Sequence, residues 1–332
     1  MVQIVATAPG RCGIVGNPSD MYGGSVLSCS VQERAECRLL TDTDALTVTN
    51  DGETAVFRSR QDLQLQKDKL DVARAVLTWF EVDPALARFS LHLKTDIPMR
   101  AGMAGSTALL ATIVGVMDSY LEQNSTSYHL AETTRKVENR VMGILCGLQD
   151  QHMAVFGGLN FMDYFGKEQL EQRDDEPLAT IEPLGTLFPN PPLILANTGV
   201  QHDSGTVHRS PRLRWLDGDP VARRNFTRIA ELARRGKRAL IERDWGTLGA
   251  MMDENHALVS ELGGSGEVND RLIRAAKKAG AHGAKLAGAG GGGTIIALTE
   301  NPEELGKALL SAGAERLLFP KPVPGLTVTQ VE

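Results

Sequence analysis

Residues 98–108 read Pro-Met-Arg-Ala-Gly-Met-Ala-Gly-Ser-Thr-Ala, and the rest of the chain can be understood outward from this glycine-rich run. Residues 89–94, before it, alternate apolar and polar side chains as a half-buried strand does. Residues 109–121, after it, are mostly apolar with helical spacing. A glycine-rich turn between a strand and a helix offers unpaired N–H groups to a phosphate. The hydroxyls of Ser106 and Thr107 suit a phosphate oxygen or a hard metal ion.

Taken alone, this turn also fits an ordinary strand-to-helix connection capped by Ser106, and it lacks the lysine of a Walker A loop. Two more glycine-rich segments, residues 8–24 and residues 283–293, favour phosphate binding. The later one contains a G-x-G-x-x-G match from Gly288 to Gly293. We expect a helix before this match and an apolar strand after it, the reverse of the dinucleotide-binding order. We therefore assign no dinucleotide site.

Length and composition limit the classes of protein. At roughly 150 residues per domain, a chain of 332 residues predicts two domains. Hydrophobic residues make up 42%, enough for sizeable cores, and a net charge of −6 gives no bulk attraction to nucleic acid. The four cysteines show no metal-ligand spacing, which favours reduced thiols. No signal peptide and no membrane-spanning run are found, so we expect a cytoplasmic protein without nucleic-acid or membrane partners.

A change of composition divides the chain. Acidic residues and prolines concentrate over residues 163–192, as in an exposed excursion near a domain boundary. We divide the chain into residues 1–185 and residues 186–332. Strand and helix patterns are paired in the second part, which predicts an α+β class. In the first part, Asn50-Asp51-Gly52 between two alternating runs predicts a hairpin turn.

Three polar side chains, Arg11, Asn17 and Asp20, are set among the small residues 8–24. An arginine beside glycine-rich turns can hold a phosphate or a carboxylate through two hydrogen bonds. Asp20 can accept hydrogen bonds from sugar hydroxyls. A surface ion pair for Arg11, and a turn or helix cap for Asp20, fit the local sequence equally well.

Two acidic side chains further along the chain are candidate site residues. Glu138 lies on the polar face of a helix predicted over residues 129–144. Asp150 lies between an apolar helix end and Gly157-Gly158, where it can be held close to a reaction centre. A capping aspartate is the alternative interpretation of Asp150.

A basic run comes directly after the buried-type strand predicted at residues 193–196. Residues 197–215 hold three Arg, two His and one Trp. Arg212 or Arg214 can bind a carboxylate or phosphate, and Trp215 offers a packing or stacking surface. A solvated basic face is the alternative.

Together the three glycine-rich segments resemble the three signature motifs of the GHMP kinase superfamily, in order and spacing and over nearly the whole chain. Motif one is residues 8–24, motif two is residues 98–108 and motif three is residues 285–292. Motif two is similar to the usual P-x-x-x-G-L-G-S-S-A-A, but differs at Ala104, Gly105 and Thr107, where Gly, Ser and Ala are usual. The resemblance implies a two-domain α+β GHMP kinase-like fold with the active-site cleft between the domains.

The resemblance also implies ATP-dependent phosphorylation of a small-molecule hydroxyl, with Mg²⁺. Asp150 matches the catalytic aspartate of the family, and would take or orient the hydroxyl proton. Arg11 would stabilise charge on the transferred group. Ser106 and Glu138 match the positions that bind Mg²⁺. The ATP phosphates would be cradled by Pro98, Ala101, Gly102, Ala104, Gly105, Ser106 and Thr107.

Within the superfamily, the chain resembles the glucuronokinases most. The resemblance rests on Gly16-Asn17-Pro18-Ser19-Asp20, on Ser204-Gly205-x-Val207-His208 and on the segment from Arg212 to Asp219. It implies a uronic acid as substrate, with Arg212 and Arg214 on the carboxylate and Asp20 on ring hydroxyls, and a sugar 1-phosphate as product. The substrate-binding residues would be Asn17, Asp20, Tyr22, Ser204, His208, Arg212, Arg214 and Gly290.

Three alternatives stay open on the sequence. The first is a GHMP kinase with a galactokinase-like or mevalonate kinase-like substrate. The second is a mevalonate diphosphate decarboxylase, which the kinase-like context of Gly147-Leu148-Gln149-Asp150-Gln151 disfavours. The third is a non-catalytic sugar sensor, which the presence of Arg11, Ser106 and Asp150 disfavours. A monomer and a homodimer are both compatible with the sequence.

Overall fold

The structure, a computed structural model, describes residues 2–41, 43–167, 175–200, 211–288 and 293–331. The strands are β1 (Gln3–Val15), β2 (Ser25–Thr41), β3 (Leu46–Asn50), β4 (Glu53–Phe57), β5 (Phe89–Thr95), β6 (Leu159–Asp163), β7 (Thr180–Pro183), β8 (Leu193–Asn197), β9 (Gly283–Leu286), β10 (Thr294–Leu298), β11 (Arg316–Leu318) and β12 (Thr327–Val331). The helices are α1 (Asp71–Trp79), α2 (Gly105–Tyr120), α3 (Ser127–Lys136), α4 (Gln149–Phe156), α5 (Pro220–Ile241), α6 (Trp245–Glu261), α7 (Glu267–Lys278) and α8 (Pro302–Ser311).

The strands form two sheets. The larger runs in the order β12-β1-β2-β5-β3-β4, with β6 paired to β2 and β7 to β6. Its pairs are antiparallel except for β3 with β5. The long strand β2 serves two neighbours on one side, because its residues 25–29 pair with β6 and its residues 35–41 pair with β5. The smaller sheet is antiparallel, in the order β11-β8-β10-β9.

Helix α2 occupies the centre of the first part of the chain. It packs on β1 and β2 and is flanked by α1, α3 and α4. From Thr107 to Asp118 each of its residues is buried. An apolar helix without a polar face is the pattern of a fully buried helix. The N-terminus of α2, where motif two ends, is therefore fixed by the core behind it.

The α+β class is confirmed, because helices pack against two separate and mainly antiparallel sheets. The predicted hairpin is also confirmed, since β3 and β4 meet at a turn where Asp51 and Gly52 have φ of 46° and 80°. Positive φ at both central residues is what a type I′ turn requires. The exact boundary at residues 185 and 186 stays a prediction.

Four local predictions are corrected. Strand β1 continues to Val15, so the first half of motif one is strand and not turn. The helix predicted over residues 129–144 ends at Lys136 and passes into a π-helical turn, Val137–Val141, that carries Glu138. The residues shortly before Gly288 form strand β9, which pairs antiparallel with β10, and not the predicted helix. Strand β12 pairs with β1, so the end of the predicted second domain returns to the first sheet.

Within the described ranges, no helix combines the length and the apolar character that crossing a membrane requires.

Candidate active site

The three glycine motifs come together through their backbones. The N–H of Arg11 donates to the carbonyl of Met103 at 3.1 Å, which joins motif one to motif two. The N–H of Gly13 donates to the carbonyl of Ala287 at 3.0 Å, which joins motif one to motif three. A Cβ on Gly288 would lie 2.5 Å from the carbonyl oxygen of Gly102, so only glycine allows this approach. Motifs one, two and three, which adjoin strands of both sheets, are thus in contact with one another.

Arg11 and Asp150 face each other at this place as a bidentate ion pair. Nε and Nη2 of Arg11 donate to Oδ1 and Oδ2 of Asp150 at 2.8 and 2.9 Å. Nη1 of Arg11 donates to the carbonyl of Gly102 at 2.5 Å. The arginine is 5% exposed, whereas the side chain of Asp150 is 25% exposed. The partner of Arg11 is therefore the predicted catalytic carboxylate, which keeps one side open to the surroundings.

Asp20 fixes the helix that carries Asp150. Its Oδ2 accepts the N–H groups of Leu148 and Gln149 at 2.6 and 3.0 Å, at the start of α4. A Cβ on Gly147 would lie 2.1 Å from this oxygen, so the close approach depends on glycine there. Burial raises the pKa of Asp20, although these N–H groups oppose the shift. Oδ2 of Asp20 thus caps a helix that is distant in sequence, and not the local turn that was the alternative on the sequence, while a sugar contact is left to Oδ1 as a proposal.

Glu138 is buried on the π-helical turn. Its carboxylate accepts hydrogen bonds from the hydroxyl of Thr107, at 3.1 and 3.2 Å to the two oxygens, and from Nε2 of Gln151 at 2.8 Å. Burial raises the pKa of Glu138 to about 7, and the nearby charge of Asp150 acts in the same direction. Thr107, predicted to bind ATP, therefore uses its hydroxyl to orient Glu138, and only its backbone N–H is left for a phosphate.

The N-terminus of α2 keeps the features of an anion site. The first intrahelical hydrogen bond runs from the N–H of Ala108 to the carbonyl of Ala104, so the preceding N–H groups have no acceptor in the helix. Ser106 in this turn is exposed. Together with the dipole of a 16-residue helix, these groups favour a phosphate. Ala104 has φ of 60°, a conformation that strains a residue with a Cβ and explains why the family pattern has glycine there.

The remaining residues of motif two line the approach to this helix. Ala101 is buried, and Pro98 is partly buried before it. Gly105, the first residue of α2, has Met99 and Ile97 around the position of a Cβ, at 3.1 and 3.3 Å. A larger residue at position 105 would push against this loop. Their contact with ATP stays a prediction.

The predicted Mg²⁺ residues fit a hard cation in their chemistry. Ser106 and Glu138 supply a hydroxyl and a carboxylate, the oxygen ligands that Mg²⁺ prefers. Burial, and to a smaller extent the charge of Asp150, raises the pKa of Glu138, and a divalent cation beside these carboxylates would offset both effects. Across the ranges that the structure describes, no three His, Cys, Asp or Glu residues form a metal cluster. The protein would thus contribute few ligands, as is usual where nucleotide phosphates complete the shell.

Glu138→Gln is expected to stabilise the metal-free protein at alkaline pH. The pKa of Glu138 is raised from 4.5 to about 7, so the folded state binds the proton more tightly than the unfolded state. The protonated carboxyl group therefore stabilises the fold, in full below pH 4.5. This contribution is lost as the pH rises through 7, and the free energy of unfolding at pH 8 is lower by about 3 kcal/mol. Urea unfolding at pH 5 and pH 8 should show the gain of the variant only at pH 8. An equal effect at both pH values would contradict the assignment.

An aromatic cluster lies beside Asp20. The ring of Tyr22 stacks on Phe226 at 4.0 Å between centroids, and Trp215 lies 5.2 Å from Tyr22. Burial raises the pKa of Tyr22, the charge of Asp20 adds to the shift, and that of Arg212 opposes it. The charge of Arg212 therefore acts on Tyr22, and Trp215, three residues after Arg212, contacts the same ring. The predicted substrate residues Asp20, Tyr22 and Arg212 are brought to one neighbourhood.

The two predicted carboxylate-binding arginines differ in their surroundings. Nε of Arg214 donates to Oδ2 of Asp219 at 2.6 Å, and Oδ1 of Asp219 caps α5 through the N–H of Val221 at 2.8 Å. Arg214 is therefore held within its own turn. Arg212 makes no hydrogen bond or ion pair with any residue in the described ranges and is only partly buried. Of the two, Arg212 is the one whose guanidinium is available to a ligand.

Asn17, predicted to bind substrate, is occupied by protein groups. Its Oδ1 accepts Nζ of Lys285 at 2.8 Å, and its Nδ2 lies 3.4 Å from the carbonyl of Gly288. Its own carbonyl accepts Nδ2 of Asn255 at 3.1 Å. With 2% exposure, Asn17 joins the two parts of the chain rather than facing a ligand. Ser204, His208 and Gly290 lie outside the described residues.

Sequence reasoning gave no role to Lys285 or Asn255. Lys285 was visible as the residue that opens motif three, and a lysine inside an apolar strand is an unusual feature that could have marked it. Asn255 had no signal, because a single amide on a long amphipathic helix has no pattern of its own.

Two protein-family models match the chain. The model described as GHMP kinases N terminal domain matches residues 70–158, and the one described as GHMP kinases C terminal matches residues 237–315, together just over half of the chain. Probable glucuronokinase 2 of Arabidopsis thaliana is 29% identical over 89% of this chain and 84% of its own. D-glycero-alpha-D-manno-heptose 7-phosphate kinase of Campylobacter jejuni is 25% identical over 89% of each chain.

Solved structures share the fold. The structure of Lactococcus lactis galactokinase complexed with galactose has a TM-score of 0.77 at 18% identity, over 98% of this chain and 95% of that one. At this identity the likeness concerns the fold alone.

Proposed function

We propose that this chain, which belongs to the GHMP kinase family, phosphorylates the anomeric hydroxyl of a uronic acid and yields a sugar 1-phosphate. Transfer of phosphate from ATP to a hydroxyl is the activity of the family to which it belongs. The observation that carries the proposal is the bidentate pair of Arg11 and Asp150 where the three glycine motifs meet. The guanidinium of Arg212, which makes no hydrogen bond or ion pair with the described residues and whose charge acts on Tyr22, supports the anionic sugar.

Asp150 is the group that would receive the substrate proton. Phosphoryl transfer needs positioning and charge neutralisation more than covalent participation of the protein. The carboxylate of Asp150 is the exposed member of the ion pair, so an acceptor hydroxyl can reach it. A carboxylate in that place accepts the proton, or orients the hydroxyl, as the oxygen attacks phosphorus. The same pairing of Asp150 with Arg11 keeps a positive charge next to the transferred group.

Two restraints hold this carboxylate in place. From one side the planar fork of Arg11 fixes both oxygens of Asp150. From the other side Asp20 fixes the first turn of α4, which carries Asp150. A reacting group restrained at both its charge and its backbone loses little entropy when the substrate arrives, which is how such sites gain rate.

The phosphate donor would be held at the N-terminus of α2. The N–H groups of Gly105, Ser106 and Thr107 would bind phosphate oxygens, with Ser106 and Glu138 as ligands of Mg²⁺. When bound, the ion supplies charge neutralisation of the phosphates. Thr107 and Gln151 keep the carboxylate of Glu138 directed by their hydrogen bonds.

A phosphorylated sugar is the second candidate substrate. The Campylobacter relative is named a heptose 7-phosphate kinase, and a sugar phosphate carries an anion, as a uronic acid does. A free arginine can bind either anion through two hydrogen bonds. The two candidates therefore share Arg212 and differ in the product.

The proposal is tested by a panel of acceptors with Mg-ATP. Glucuronate, galacturonate, galactose, a heptose phosphate, mevalonate and homoserine are compared by ADP formation, and the products are identified by ³¹P NMR. We expect the uronic acids to give the highest kcat/KM and a phosphate at carbon 1. A preference for a neutral sugar, or for mevalonate, would refute the uronate assignment but leave the kinase activity intact.

Arg212→Ala is expected to lower kcat/KM for a uronic acid by about 30-fold, because a charge-assisted pair contributes roughly 2 kcal/mol. The kcat/KM for galactose should change less than about threefold, since no carboxylate is present. Arg235→Ala on the exposed face of α5 serves as control for the removal of a positive charge. Equal losses on the acid and on the neutral sugar would show that Arg212 does not bind the carboxylate.

A further inference from the structure

Lys285 is a buried cation without an acidic partner. It lies on β9 with 1% exposure. Its Nζ donates to Oδ1 of Asn17 at 2.8 Å and to the carbonyls of Gly13 and Leu286 at 3.2 and 2.6 Å. Within the parts of the chain that the structure describes, no carboxylate forms an ion pair with it. A buried charge with neutral acceptors costs stability, so its placement calls for an explanation.

One acceptor of Lys285, the side chain of Asn17, lies in the turn of motif one between β1 and β2, and a second, the carbonyl of Gly13, lies near the end of β1 just before this turn. Asn255 of α6 contacts the same turn, because its Oδ1 accepts the N–H of Gly16 at 2.8 Å and its Nδ2 donates to the carbonyl of Asn17. The polar groups of Gly16 and Asn17 are thus satisfied from β9 and α6. The shape of this turn depends on side chains more than 200 positions away.

This turn leads directly to the cap of the catalytic helix. Asp20 is three residues after Asn17, in the short helix Ser19–Met21. Its carboxylate binds the first N–H groups of α4, and Asp150 is the second residue of α4. A shift of the Asn17 turn would therefore move the cap, and with it the reacting carboxylate.

We propose that Lys285 is a positioning residue: through Asn17 it holds the turn of motif one in the conformation in which Asp20 caps the helix of Asp150. The structural part of this proposal stands on the contacts alone, whereas its effect on turnover rests on the proposed function.

The charge of Lys285 gives the proposal a pH signature. Burial, together with the positive charge of Arg11, lowers the pKa of Lys285 to about 7. The other titratable groups near it are Cys12 on β1, whose pKa burial raises to about 12, and His256 on α6, whose pKa burial lowers. Neither of these titrates between pH 7 and pH 9. Above its pKa the amine has two N–H bonds for three acceptors, so one of its hydrogen bonds to Asn17, Gly13 and Leu286 is lost and its hold on the turn is weakened.

Hydrogen exchange measures the cap without any substrate. In Lys285→Met, the amides of Leu148 and Gln149 should exchange about tenfold faster, because their acceptor Asp20 is less well fixed. Lys277→Met is the matched control, since Lys277 also donates to a backbone carbonyl, that of His282 before β9, but does not contact the turn. Unchanged exchange at these two amides in Lys285→Met, or an equal increase in both variants, would overturn the proposal.

Asn17→Asp tests the same contact with an almost isosteric side chain. A carboxylate at the position of Oδ1 would form an ion pair with Lys285 and raise its pKa by about one unit or more. NMR titration of ¹³C-labelled lysine should show this shift, and the alkaline limb of kcat should move upward with it. Lys285→Met should lower kcat about tenfold while the Kd of ATP changes less than about threefold.

The outcomes separate this proposal from the proposed function. If Asn17→Asp leaves both the lysine titration and the alkaline limb in place, Lys285 does not hold the turn through its charge, and the proposal fails. If no acceptor is phosphorylated at all, the proposed function fails, while faster exchange at Leu148 and Gln149 in Lys285→Met still supports the positioning role. Loss of activity together with the affinity for ATP would indicate general damage and count against it.

Discussion

We expect Asp150→Asn to lower kcat by about 10³-fold, because a positioned general base accelerates such a reaction by about 10²–10⁴-fold. The amide keeps the size of the side chain and one acceptor oxygen, but it cannot take the proton. The N-terminus of α2, where we place the phosphates, is untouched. The Kd of ATP, measured by calorimetry, should therefore change less than about threefold.

The control for Asp150→Asn is Asp44→Asn, which removes the same charge from an exposed loop between β2 and β3. Its kcat should equal that of the wild type. Asp150→Asn will also destabilise the fold, because Arg11 keeps its charge without its partner. Unfolding by urea measures this destabilisation separately from the loss of kcat. A variant that turns over at nearly the normal rate would remove Asp150 from the role of base.

Arg11→Lys is expected to lower kcat about 100-fold and to destabilise the fold by about 2 kcal/mol. The lysine keeps the charge but cannot form the parallel pair of hydrogen bonds that holds both oxygens of Asp150. Its single nitrogen also cannot occupy the separate positions of Nε, Nη1 and Nη2, so the hydrogen bond to the carbonyl of Gly102, which ties motif two to motif one, is weakened. Kinetics and urea unfolding measure the two effects.

Arg38→Lys is the matched control for Arg11→Lys. Arg38 also donates from Nε to a carboxylate, that of Glu36 at 2.6 Å, but its side chain is 48% exposed. Exposed pairs contribute less than about 1 kcal/mol, so this variant should unfold like the wild type. If Arg11→Lys kept the wild-type kcat, the fork geometry would have no part in the reaction.

Local patterns were enough to place most elements. The apolar run after motif two predicted α2, and Asn50-Asp51-Gly52 predicted the turn between β3 and β4. Both rest on interactions among neighbours in the chain. Strand β9 was missed because its four residues are buried on both sides and show no alternation. The change from α3 to a π-helical turn at Glu138 also has no signal in residue spacing.

The residues of the candidate site were found through motifs, but their partners were not. Arg11, Glu138 and Asp150 were named from the sequence, and the structure brings Arg11 against Asp150. For Asn17 and Thr107 the sequence predicted ligands, while their side chains bind Lys285 and Glu138. A side chain in a glycine-rich turn has the same local sequence whether it meets a substrate or another part of the protein.

The sequence by itself determined the family and the phosphotransferase chemistry, and it predicted Arg11 and Asp150 as the reacting pair, because glycine-rich motifs and their flanking residues lie in short runs of sequence. Tertiary structure alone decided which polar groups are free. Asp20 became a helix cap, Arg214 a partner of Asp219 and Lys285 a support of motif one, each through contacts that a linear pattern does not contain. The physical reason is burial: once water is excluded, each polar group must find a partner nearby in space, whatever its distance along the chain.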